Sequence, residues 1–462
     1  MSDQHKVKDA KADHLEAIAS NGFPEGEAIL QDVSYGPNGI RGIVSSPFVF
    51  GAAFLASLGG FSFGYDQGVI SIINVMPHFH EAFPPAKTAF GTGFMTGMLL
   101  LGAFVGCPFM PYLADKISRK WALTVVVVIL DIGAIIQTAA NSYGMLVAGR
   151  AIGGIGVGTL AMGAPLYISE ISPPNLRDTL LVLESISIVS GVVIAYWITF
   201  ATRDINSEVS FRLPFGLQMA EYKSIITEVE FQKLIQEAKY PGQFSGINAF
   251  IYYAPTLFRS IGQSDEMSLI LSGVFNILQL VAVAVCFVVI DRVGRRPLAI
   301  VGGFGTAAYY AIIAILSGLY SKDWQANTAA GWACVAMAFA FLLVFGVSYS
   351  PLGWALPPEV FSTSQRAKGV ALATCVNWLS NFTVGIATPP MLELICFGAY
   401  IFFACFCAMA GIWAFFLVPE TIGRTLEQMD EVFGDTSGSE EIVMMMEAAR
   451  IANTLARGDV TA

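Results

Sequence analysis

Long apolar runs separated by short polar breaks dominate the chain from residue 47 onward. A bilayer crossing needs about 20 mostly apolar residues. Runs of that kind fall at roughly 48–75, 90–113, 121–140, 143–169, 178–201, 244–261, 268–290, 298–319, 330–356, 368–390 and 396–418. The pattern predicts an all-α integral membrane protein with about eleven full spans. Basic residues orient the ends. Lys116, Arg119 and Lys120 mark one cytoplasmic loop, Arg292, Arg295 and Arg296 a second, and Arg366 with Lys368 a third.

The alternation of sides fails once. With the N-terminus inside, the fifth span exits outside near Arg203, yet the basic loops after residue 244 need the next span to start inside. The only apolar stretch between them is Leu213–Ala220, interrupted by Pro214. Eight residues of helix rise about 12 Å, against a hydrocarbon core of about 30 Å. Residues 221–240 carry Ile225, Ile226, Val229, Leu234 and Ala238 on one helical side, as an amphipathic cytoplasmic linker does. The expectation is a chain that lacks most of a sixth span and the start of a seventh. The alternative is an odd-numbered protein with an inverted second half. The expected organisation is a cytoplasmic tail at 1–46, a bundle at 47–220, a linker at 221–242, a bundle at 243–419 and a tail at 420–462.

The charges that remain between the runs repeat. Asp115 precedes Arg119 and Lys120 by four and five residues, and Asp291 precedes Arg295 and Arg296 by the same spacings. Glu170 precedes Arg177 by seven residues, as Glu359 precedes Arg366. Two similar halves in a membrane are the mark of secondary transporters. Asp115, Arg119, Glu170 and Arg177 would pair at the cytoplasmic ends of the first half, and Asp291, Arg295, Glu359 and Arg366 in the second. Such pairs would close an inner gate; the plainer alternative is charge that only sets topology.

Composition agrees. Apolar residues make up 55% and charged residues 13% of 462, with a mean hydropathy of +0.63, whereas soluble domains carry roughly a quarter charged residues. The net charge of -10 gives no reason to expect nucleic acid as a partner. The seven cysteines lack metal-ligand spacing and read as small core residues. No nucleophile triad, metal site or phosphate loop stands out, so neither enzyme chemistry nor a cofactor is expected. The glycine-rich stretch Gly149–Gly158 lacks the register and preceding strand of a nucleotide loop, and reads as close helix packing.

Two ionisable residues lie deep in apolar runs. Asp66 sits about 16 Å below the outer end of the first span and Arg150 about 10 Å below that of the fourth, a difference that helix tilt can close. A buried carboxylate at that depth costs about 2.5–3.5 kcal/mol by insertion scales, which an ion pair offsets. Alternate pairing and separation of Asp66 and Arg150 would couple proton movement to transport. A static pair that fixes helix packing is the alternative.

Several motifs together resemble the sugar porter branch of the major facilitator superfamily, fungal monosaccharide carriers most closely. They are Gly64-Tyr65-Asp66-Gln67-Gly68-Val69, Gly149-Arg150, Pro165-x-Tyr167-x-Ser169-Glu170 with Leu176-Arg177, Gln243-Phe244-Ser245-Gly246-Ile247-Asn248, Asp291-Arg292-Val293-Gly294-Arg295-Arg296, and Pro419-Glu420-Thr421-x-Gly423-Arg424-Thr425-Leu426. The resemblance implies a two-bundle fold of twelve spans, in the plasma membrane, moving a monosaccharide with protons. It assigns substrate contacts to Gln243, Asn248, Asn276, Trp354 and Asn381, with Asn377 beside them. Amides are costly in lipid and face a cavity or another helix, so the residues themselves allow either role. Pro351, Gly353, Pro357 and Pro358 around Trp354 suggest a broken, movable helix. The chain departs from the family in lacking Pro-Glu-Ser-Pro-Arg after a sixth span, in Gly242 before Gln243, in Ser118 for a loop glycine, and in Ser185 for a sugar-binding glutamine of the fifth span. A facilitative uniporter, a sensor that binds sugar without moving it, and an inactive shortened product stay open. The missing crossing predicts slow transport.

Overall fold

The computed structural model describes residues 47–108, 119–172, 176–218, 247–353, 366–395 and 397–418. They are helical, with no strand among them. The first half contains α1 (Pro47–Ile73), a short α2 (Pro77–Ala82), α3 (Ala89–Gly106), α4 (Arg119–Thr138), α5 (Tyr143–Ile171), α6 (Arg177–Thr202) and α7 (209–218). The second half contains α8 (Ile247–Ser260), α9 (Asp265–Val293), α10 (Arg295–Tyr320), α11 (Thr328–Val347), α12 (Arg366–Ile395) and α13 (Phe397–Leu417). Among the described residues, seven helices are long and apolar enough to cross a membrane on their own. The helices fall where the hydrophobic pattern predicts crossings.

The ends have local causes. Ser142 Oγ accepts from the Met145 N–H at 3.3 Å and caps α5, and Ser264 does the same for α9 through Met267 at 3.4 Å. Gly294 turns α9 into α10 at φ 88°, a backbone that glycine adopts without strain. Arg296 Nη2 donates to the Phe415 carbonyl at 2.9 Å, placing a cation at the last turn of α13. The predicted crossing at 330–356 is not continuous. It breaks at Ser348 (φ -114°, ψ -86°) and resumes as helix at 349–353.

Within the first half α1 packs on α6, and α3 and α4 pack on α5; in the second, α10 packs on α11 and α13, and α8 on α9 and α12. Glycines let backbones touch. A Cβ on Gly64 would lie 1.8 Å from the Ile188 carbonyl, and one on Gly154 would lie 2.0 Å from that of Leu99. Small-residue packing is thus what Gly149–Gly158 supplies. The halves meet through α3 with α12, α6 with α9, and α1 with α8.

The interval that breaks the alternation of sides lies mainly in 219–246, outside the described residues. Its first part is seen. Helix α7 is held to the end of α4 by Arg212, which donates to the carbonyls of Thr138 (2.6 Å) and Ala140 (2.9 Å). The 14 residues of α8 rise about 21 Å. Pro255 within α8 removes a backbone donor, and the helix kinks at Tyr253 (φ -131°, ψ 22°).

Candidate functional site

Asp66 and Arg150 come together as the apolar pattern predicts. Both are buried, at 2% and 1% exposure, and Arg150 Nη2 donates to Asp66 Oδ2 at 3.3 Å. The guanidinium ties two further elements to this point. Its Nε donates to the Met95 carbonyl of α3 at 2.9 Å, and its Nη1 reaches Gln137 Oε1 of α4 at 3.5 Å. The fixed fork of arginine suits this divided role, which the point charge of a lysine could not fill. The other carboxylate oxygen of Asp66 accepts from Gln218 Nε2 of α7 at 3.0 Å. One acid therefore joins α1, α5 and α7.

The next residue of α1 faces the other half. Gln67 Nε2 donates to Tyr252 Oη of α8 at 2.9 Å. The ion pair lies one peptide unit from an interhelical contact between the halves.

Gln67 also lines a central cavity of about 50 Å³, with Ser185, Asn248, Gln279 and the rings of Phe63 and Phe345. Ligand pockets measure about 300–1,000 Å³, so this cavity is smaller than one. A larger groove of about 830 Å³ between α10 and α13, lined by Ala311, Phe397 and Ala404, is mostly apolar and offers a hydroxylated molecule few partners.

Of the predicted substrate contacts, Asn248, Asn377 and Asn381 meet. Asn248 donates to Asn381 Oδ1, and Asn381 Nδ2 to Asn377 Oδ1 at 3.1 Å. Asn276 is buried on α9 and its Oδ1 has no hydrogen-bond partner. Gln243 and Trp354 lie outside the described residues, as do Asp115 and Glu359 among the predicted gate charges. Arg119, Arg177 and Arg366 begin α4, α6 and α12, and Glu170 and Asp291 lie near the ends of α5 and α9; the side chains of these five are outside the described set. Arg295 is buried at the start of α10.

Sequence reasoning missed Gln137, Gln218 and Gln279. The rule that flagged Asn276, an amide within an apolar run, applies equally to all three. The partners of Gln137 and Gln218 were not readable, because each lies on another helix.

At the helix ends, Arg203 after α6 grips Glu266 in the first turn of α9, Nη2 donating to Oε1 at 2.8 Å and Oε2 at 3.1 Å. Below it, Tyr196 Oη donates to the Leu269 carbonyl at 2.6 Å. Both contacts cross between halves.

The family model described as sugar (and other) transporter matches residues 52–221 and 239–433. The sugar transporter STL1 of Saccharomyces cerevisiae is 30% identical, over 82% of this chain and 80% of its own. A high-affinity glucose transporter of Kluyveromyces lactis is 26% identical, over 88% and 89%. Among solved structures, the major facilitator proton:xylose symporter XylE superposes with a TM-score of 0.71 at 21% identity, covering 84% of this chain and 99% of that one. Buried charge, paired halves and family match agree: the chain belongs to the sugar transporter family of the major facilitator superfamily, as a multi-pass membrane protein similar to fungal sugar transporters.

Proposed function

We propose that the chain carries a monosaccharide across the plasma membrane by alternating access, with Asp66 as the proton-binding group. The observation that carries this reading is the buried carboxylate held by Arg150 at 3.3 Å and Gln218 at 3.0 Å, directly beside the Gln67–Tyr252 contact between halves. A proton on Asp66 removes its charge attraction to Arg150 and gives one oxygen a donor. α1 is then freed to shift against α5 and α7, and Gln67 carries that shift to α8. Substrate fits between the halves when the cavity opens. The names of the similar transporters support a sugar as cargo, and that of XylE supports protons as the coupled ion.

The charge pairs Asp115–Arg119 with Glu170–Arg177, and Asp291–Arg295 with Glu359–Arg366, complete the reading as an inner gate. Breaking them opens the cytoplasmic side.

The test is uptake of labelled glucose and xylose into proteoliposomes with and without an inward proton gradient. Symport predicts accumulation that a protonophore abolishes and that Asp66→Asn lacks, with exchange retained. Full-rate uptake by Asp66→Asn would make the protein a uniporter. Sugar binding without uptake would make it a sensor.

A further inference from the structure

The central cavity contains an acceptor that the protein itself leaves unanswered. Gln279 lies on α9, 3% exposed, and lines the cavity. Its Oε1 has no hydrogen-bond partner. Three other polar side chains of the wall act as donors within the protein. Gln67 donates to Tyr252 at 2.9 Å, Ser185 Oγ to the Ser350 carbonyl at 3.3 Å, and Asn248 to Asn381. A buried carbonyl oxygen without a donor is costly, and proteins keep few of them. One turn earlier on the same helix, Asn276 Oδ1 is also without a partner. Side chains three apart lie on one helix face. Gln279 Oε1 is therefore an open acceptor in the cavity wall, with a second open acceptor, Asn276 Oδ1, one turn away on α9.

We infer that Gln279 is a substrate-recognising residue that sets specificity, accepting a hydrogen bond from a hydroxyl of the cargo next to the one that Asn276 accepts. The inference rests on the monosaccharide reading above and gives it a chemical demand. The ligand must offer adjacent O–H donors on the side facing α9, while Phe63 and Phe345 supply apolar surface for its carbon face. Ring sugars and open-chain polyols share that chemistry.

The experiment is equilibrium binding to the purified full chain in lipid nanodiscs, which does not require transport. Labelled glucose is displaced by xylose, sorbitol, xylitol and the monodeoxy glucoses. In Gln279→Leu, affinity for the best ligand falls about tenfold or more. The analogue that lacks the recognised hydroxyl binds wild type and variant alike. Gln279→Met, close to glutamine in shape, gives the same pattern and replaces the leucine variant if that one does not fold; melting and elution profiles check both. Preference for sorbitol or xylitol over the rings assigns the site to a polyol, with Gln279 in the same role. Unchanged affinities in both variants overturn the inference and leave the carrier reading intact, as does an equal loss for every analogue. A wild type that binds none of these compounds overturns both.

Discussion

Asp66 and Gln218 lie 152 residues apart in the chain and meet at 3.0 Å in the membrane interior. Gln218 is the last described residue before the interval in which a crossing is missing, and it donates to the acid proposed to bind protons. The described part of α7 thus has a polar role at the ion pair. Replacing Gln218 with leucine leaves Asp66 Oδ1 without that donor. A buried group that loses its partner costs about 1–3 kcal/mol. Thermal unfolding of Gln218→Leu should show that loss, and proton-driven uptake should fall about tenfold. Gln218→Asn should fall between. Unchanged uptake and melting in Gln218→Leu would remove α7 from the coupling site.

Arg150 is a heavier loss. Arg150→Leu leaves a buried carboxylate without its cation, which costs about 3–5 kcal/mol. The double variant Asp66→Leu with Arg150→Leu removes both charges and should recover most of that stability, since a buried pair and an apolar pair differ little. Uptake should stay absent in both. A double variant no more stable than Arg150→Leu would show that the charges are not coupled.

The Arg203–Glu266 contact predicts a different signature. Its carboxylate is exposed, so the pair contributes about 1 kcal/mol or less to stability. Its place between α6 and α9, one from each half, predicts a latch between the halves. Glu266→Gln should hardly change melting, yet raise the labelling rate of a cysteine placed on the cavity wall from outside. Raised salt should mimic the variant in wild type by screening. Equal labelling in wild type and Glu266→Gln would leave the pair a surface ornament without a gating role.

His80, in the short helix α2 between α1 and α3, titrates below the ordinary histidine value of 6.5, chiefly because half-burial disfavours its charged form and also because Lys87 repels it. Its backbone contact with Asn74 opposes this without reversing it. A lowered folded value means that the unfolded chain binds the proton first as pH falls. The stability from His80 is therefore full above about 6.5 and declines as pH drops from there toward the lower folded value. Melting temperatures from pH 8 to 5 should show that decline, and His80→Gln should flatten it. An identical profile in the variant would assign the decline to other groups.

The sequence by itself determined the class and most of the scaffold. Length of apolar run against bilayer thickness is a one-dimensional property, so the positions of the long helices were legible in it, whereas the short α2 and the helix at 209–218 were not. Depth was legible too, since rise per residue is fixed, and it brought Asp66 to Arg150 before any coordinates. Repetition of Asp115 and Arg119 in Asp291 and Arg295 exposed the two halves. Tertiary structure decided what no run of residues encodes, namely which helix faces which. Pro351 and Gly353 announced a broken helix in this run, while its exact point at Ser348 was decided by the packed structure. Only packing could pair Gln218 with Asp66, join Gln67 to Tyr252, spend Asn248 and Asn377 on Asn381, and leave Gln279 open. An amide in lipid must find some partner, but the energy of that demand is the same for every candidate. Geometry alone chooses among them.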